Sequence, residues 1–157
     1  FGRQGGADRH AHPDLLRRWK EAGLRSVIIG FEEIEDDALA SLNKSASVAV
    51  NDEAIAILHE MGVSIVGDFI VSPDYDEERF DALERYVTER KIDLPLLAVL
   101  TPLPGHPLHS AWSDRIVLHD LDYYTLTNAV VTTRLEEKRF YERYAGLIKA
   151  FHANAKL

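Results

Sequence analysis

Several stretches of this sequence carry residues able to do chemistry. Asp68 lies inside the apolar run Ile65-Val66-Gly67-Asp68-Phe69-Ile70-Val71. An ionisable group in such a run costs on the order of several kcal/mol unless it is paired or wetted. Asp68 therefore reads either as a functional carboxylate or as a satisfied structural one. Glu32 follows Gly30 at the end of Val27-Ile28-Ile29-Gly30-Phe31. The glycine leaves room for a ligand near the backbone, and the carboxylate could accept hydrogen bonds from hydroxyls or an ammonium group. The alternative is an acidic residue at a helix N-terminus, favoured by the dipole. Lys44, after Asn43, could meet a ligand carboxylate as a point charge or complement a helix C-terminus. Thr101-Pro102-Leu103-Pro104-Gly105 follows a third apolar run, Leu96 to Leu100. Its two prolines stiffen a loop that could form a rigid rim against a flat base, or could only end the strand.

Other groups point to less. His10/His12 and His106/His109 are spaced to share a metal, but no third ligand accompanies either pair, and no metal site is expected. Tyr123, Tyr124, Tyr141 and Tyr144 fit a core or interface better than a cofactor site. No Gly-rich phosphate loop, nucleophile elbow or basic-aromatic stripe is present.

The elements that must position these residues alternate. Pro13 opens a helix with Leu15, Leu16 and Trp19 on one face and Gly23 as its stop. Ser26–Phe31 is an uninterrupted, β-branched run and predicts a strand buried on both faces. Glu35–Asn43 predicts a short helix. Asn51 or Asp52 is placed to cap the next helix, with Ala54, Ile55, Ile57, Leu58 and Met61 inward and Gly62 ending it. Val63–Val71 predicts a second strand. Asp76–Arg90 predicts a helix with Phe80, Leu83 and Val87 inward. Ile92–Leu100 predicts a third strand, starting late because of Pro95. The segment from His106 to Arg134 is mixed, and a last helix covers about Leu135–Phe151, burying Phe140, Tyr144, Leu147 and Phe151. Short connections and right-handed crossovers make this an α/β fold: a partial (β/α) barrel of about three parallel strands, outer helices and a C-terminal helical extension. Ligands in such folds sit just past the C-terminal strand ends. The expected division is 1–110 for the barrel part and 111–157 for the extension. So few strands leave edges that need cover, by further polypeptide or by a second copy.

Composition narrows the function. The 157 residues, 46% hydrophobic and 28% charged, suit one globular domain. A formal charge of −8 argues against a general nucleic-acid surface. With no cysteine, disulfides, thiolate metal sites and a catalytic thiol are all excluded. No apolar run reaches the roughly 18 residues of a membrane span, and no signal-peptide pattern is visible, so a cytoplasmic location is expected. The chain begins with Phe1 and its one methionine is Met61. Position 1 is thus read as no initiator, and further polypeptide is expected before it.

Taken in order, Asp14-Leu15-Leu16, Ala22-Gly23-Leu24, Ile29-Gly30-Phe31-Glu32, Leu39, Leu42-Asn43-Lys44, Met61-Gly62-Val63, Asp68-Phe69-Ile70-Val71 and Leu100-Thr101-Pro102-Leu103-Pro104-Gly105 resemble the later half of a radical S-adenosylmethionine (SAM) barrel. The branch they resemble carries an N-terminal cobalamin-binding domain and includes anaerobic magnesium-protoporphyrin ester cyclases and hopanoid-type methylases. The likeness runs from about Ala7 to Ser110, and the tail matches less specifically. The resemblance implies that Glu32 and Asp68 contact the methionyl or ribose part of SAM. It further implies that Lys44 meets the SAM carboxylate, and that Leu103 with its neighbours, Thr101 included, lines the adenine.

There are departures. The family's three-cysteine C-x-x-x-C-x-x-C cluster loop is absent, His106 stands where threonine is common, and Ser72-Pro73-Asp74 replaces a Gly-containing turn. The [4Fe-4S] cluster and cobalamin are therefore implied only for a larger parent enzyme, a methyltransferase or cyclase acting on a small molecule. The chain itself is expected to hold no catalytic residue, to be inactive alone, and to bind SAM weakly or not at all. Two other readings remain open. One is a segment of another β/α-barrel enzyme, such as a hydrolase using Glu32 and Asp68 for acid–base work. The other is a non-catalytic module that binds a partner or dimerises through its sheet edge.

Overall fold

The structure, a computed structural model, describes residues 13–34, 47–153 and 155. The helix expected over Glu35–Asn43, Lys44 with it, and the pair His10/His12 lie outside the described residues. In chain order the elements are α1 (Pro13–Glu21), β1 (Ser26–Glu32), α2 (Val48–Glu60), β2 (Ser64–Val71), α3 (Glu77–Glu89), β3 (Leu94–Val99), α4 (Pro107–Ala111) and α5 (Glu137–Ala153), with two 3₁₀ turns at Ser113–Arg115 and Leu121–Tyr123.

The three strands form one parallel sheet in the order β1-β2-β3. Side chains alternate across it. Phe31, Ile65, Phe69, Val71 and Val99 point to the helix side and are buried there with Phe80, Leu83, Val87, Phe140, Tyr144 and Leu147. The other face carries Ile28, Gly30, Val66, Asp68, Ile70, Leu94, Leu96 and Ala98, and no described element packs over it in the same way. Ile28 is 72% exposed and Leu96 41%. This corrects the expectation that β1 is buried on both faces: its continuous apolar run serves a covered face and an open one.

Helix α1 also departs from expectation. Its apolar face forms, but Leu15 and Trp19 remain exposed, because the described residues bring no core element against them. The next helix starts earlier than predicted. Ser47 is the cap of α2, its hydroxyl accepting from the Val50 amide at 3.4 Å. Asn51 is buried inside the helix, and Asp52 pairs with Arg90 through two bonds of 2.6 and 2.9 Å. Asp76 caps α3 by accepting from the Arg79 amide at 3.1 Å.

Pro95 sits within β3, paired with Gly67. Val99 donates its outward amide to Leu126 O at 2.6 Å, and Leu97 O accepts from Tyr144 Oη at 3.0 Å. Residues 95, 97 and 99 share that outward parity, so the N–H that proline lacks belongs to the edge and not to the ladder. The same bonds mean that the chain's own later residues occupy this edge. Helix α5 contributes Phe140, Tyr144, Leu147 and Phe151 to the core that also holds the sheet. Ile116, Val130 and Val131 form a small separate cluster around the bridge Ile116–Val131.

Candidate functional site

The C-terminal ends of β1 and β3 and the open face of β2 lie together. Gly30 pairs with Asp68, and Asp68 with Leu96, so these three positions share one row across the open face. The ladder then slips between Gly30 and Glu32. Glu32 has φ +67, and the Glu33 amide donates to Phe31 O at 2.8 Å. That bond across one residue with positive φ is a γ-turn of the strained kind. The turn lays the Glu32 carboxylate back over Gly30: a β-carbon built on Gly30 would lie 2.7 Å from Glu32 Oε1. Glu32 is thereby on the Asp68 side of the sheet, and its charge is felt there. Partial burial, and then the Glu32 charge, hold the Asp68 carboxyl above its ordinary range.

The loop after β3 is rigid for a legible reason. His106 N–H donates to Leu103 O at 3.0 Å, with Pro104 and Gly105 (φ +85) at the centre, the residues a type II turn prefers. His106 then caps α4, its Nδ1 accepting from the Leu108 amide at 3.2 Å, and Pro107 takes the first helical position. Leu103 is exposed at this rim. Thr101 is buried and spends its hydroxyl proton on Val99 O at 2.9 Å. Its local role is to tighten the end of β3.

Sequence reasoning did not single out Glu33. It is 7% exposed, and its carboxylate accepts from Tyr75 Oη at 3.0 Å on each oxygen and from Arg79 Nη2 at 3.0 Å. The signal available was a second acidic residue between Phe31 and Ile34, both of which are buried. Among the described residues no group of three His, Asp or Glu side chains is placed to hold a metal ion, and no helix is long and apolar enough to cross a membrane.

No family model matches the chain. Curated proteins do. Hopanoid C-3 methylase of Methylococcus capsulatus is 27% identical over 128 residues, covering 82% of this chain and 25% of that protein. Bacteriochlorophyllide d C-12(1)-methyltransferase of Chlorobaculum tepidum is 33% identical over 114 residues, 71% of this chain and 25% of that protein. Anaerobic magnesium-protoporphyrin IX monomethyl ester cyclase of Cereibacter sphaeroides is 29% identical over 119 residues, 75% of this chain and 19% of that protein. The chain is a relative of the B12-binding radical SAM enzymes. As a radical SAM relative it spans about a quarter of the length of the proteins it matches first. Its lack of cysteine means that no residue of this chain fits thiolate ligation of an iron–sulfur cluster.

Proposed function

We propose that this chain supplies part of the SAM pocket of a radical SAM methyltransferase or cyclase, the cluster and any cobalamin being held by other polypeptide. The observation that carries the reading is the placement of two carboxylates, Glu32 and Asp68, on the open face beside a residue without a side chain, Gly30. Bound SAM brings a sulfonium as its reacting centre. Its ammonium and ribose hydroxyls are donors that paired carboxylates accept from, and its cationic charge offsets the repulsion within the pair. Leu103 offers an apolar edge for the adenine. Thr101 supports that rim from below, and Lys44 is assigned to the SAM carboxylate. No residue is assigned a bond-breaking role. The parent's small-molecule substrate would face the rest of the open apolar surface, formed by Ile28, Val66, Ile70 and Leu96.

The test is a titration of the isotope-labelled chain with SAM, followed on its backbone amides. Weak, saturable shifts confined to residues 30–33, 44, 68–69, 101, 103 and 105, abolished in Asp68→Asn, are the expected result. No shift at these positions at millimolar SAM overturns the site. Tight, stoichiometric binding in a calorimeter overturns the view that most of the pocket lies on other polypeptide.

One observation favours a second reading. A raised Asp68 next to Glu32 is also what carboxylate acid–base catalysis uses. Hydrolysis of a glycoside or ester panel by the chain, lost in both Glu32→Gln and Asp68→Asn, would select it.

A further inference from the structure

We propose that Glu33, Tyr75 and Arg79 are positioning residues: a buried clamp that holds the turn at Glu32 closed, so that the Glu32 carboxylate stays over Gly30 and beside Asp68. Glutamate is a poor occupant of the left-handed region. Glu32 sits there at φ +67, in a γ-turn that a chain seldom adopts. Such strain persists only where the surroundings over-determine it. The residue that follows is the means. Fixing Glu33 fixes the exit of the turn, and Glu33 is fixed thoroughly. Among the described residues, Tyr75 and Arg79 from outside β1 donate to its carboxylate, and the Ile34 amide adds a bond of 3.3 Å.

The donors are themselves anchored. Tyr75 is 3% exposed and its ring meets Phe80 edge-on at 5.5 Å. Burial, and then the Glu33 charge, keep its hydroxyl protonated far above the ordinary phenol range, so it remains a donor. The Arg79 guanidinium lies 5.2 Å from the centre of the Tyr75 ring, and the Arg79 amide is tied into the Asp76 cap. The start of α3 thus reaches across to β1 and sets where Glu32 points. A carboxylate buried only for stability has no need to adjoin the strained residue. This one follows it directly in sequence.

The importance of the clamp to ligand binding rests on the SAM reading, but its geometry does not, and the experiment separates the two. The titration of the Asp68 carboxyl is followed by carbon-detected NMR in the full chain and in Glu32→Gln, Tyr75→Phe and Glu33→Gln, with the amide spectrum reporting the fold. Among the described residues, Glu32 is the charged neighbour that acts on Asp68. Glu32→Gln is therefore expected to lower the Asp68 midpoint. Tyr75→Phe, which keeps the ring and loses one donor, is expected to recover at least half of that fall, and Glu33→Gln more. If Tyr75→Phe does not give the parental spectrum, Arg79→Lys, which keeps the charge and loses the fork, replaces it with the same expectation. An Asp68 midpoint unmoved in folded clamp variants, while Glu32→Gln shifts it, overturns the proposal. So does a midpoint that Glu32→Gln leaves in place. A clamp that behaves as expected in a chain that shows no SAM shifts leaves the positioning intact and removes only the SAM reading.

Discussion

Asp68 binds its proton more tightly in the folded chain than in an unfolded one, because partial burial and the charge of Glu32 both disfavour its anion. The sign of the consequence follows by linkage. Between the ordinary aspartate range and the raised folded value, the folded state holds more proton, so stability falls as pH rises through that window. Asp68→Asn is expected to stabilise the chain at neutral pH by under about 1 kcal/mol, since water screens a half-exposed pair. The gain should vanish below the ordinary carboxylate range. Urea unfolding at the two pH values checks it, and an equal gain at both would place the cause elsewhere. The position of Asp68 was legible because a carboxylate in an apolar run is conspicuous. The strain at Glu32 was not, since nothing local asks glutamate to take positive φ. What holds it comes from Tyr75 and Arg79, far along the chain, and pairing across such a distance leaves no periodicity to read.

At the scale of elements, the start of α2 shows how a local rule can be satisfied at the wrong place. Asn51 and Asp52 are good capping types, yet Ser47 has the extended backbone, φ −114 and ψ 161, and the capping bond. Asn51 is instead 5% exposed and Asp52 is held by Arg90. Ser47→Ala should cost about 0.5–1 kcal/mol, the lower part of the usual range, given the long 3.4 Å bond. Thermal unfolding of this variant beside the parent measures it, and a null effect would return the cap to a later residue. The type II turn over Leu103–His106 was readable from Pro-Gly alone. Pro95 inside β3 was readable only as a warning. Its tolerance depends on β3 being the outer strand, a property of the sheet as a whole.

Among the described residues the sheet is covered on one side. Phe140 is fully buried, edge-on to Phe80 at 5.6 Å, and joins α5 to α3 and to the core beneath the strands. Phe140→Ala is expected to cost about 3–5 kcal/mol, a large part of the stability of an ordinary domain. Calorimetric unfolding would register it as a sharp fall in Tm, and a loss below about 1 kcal/mol would show the C-terminal helix to be dispensable for the core. The parallel order and the helix-side core were foreseeable from the alternation of elements. The apolar open face was not, because Ile28 and Leu96 are the residue types a buried face would use.

The bonds from Leu126 and Tyr144 to β3 also set a schedule for biosynthesis. A ribosome delivers β3 before either residue that covers its rim. At about 5–20 residues per second the nascent strand waits on the order of seconds for its cover. During that interval its bare amides and carbonyls are open to any neighbouring chain. A stall or premature stop between Val99 and Tyr144 should therefore yield a sticky product rather than an inert one.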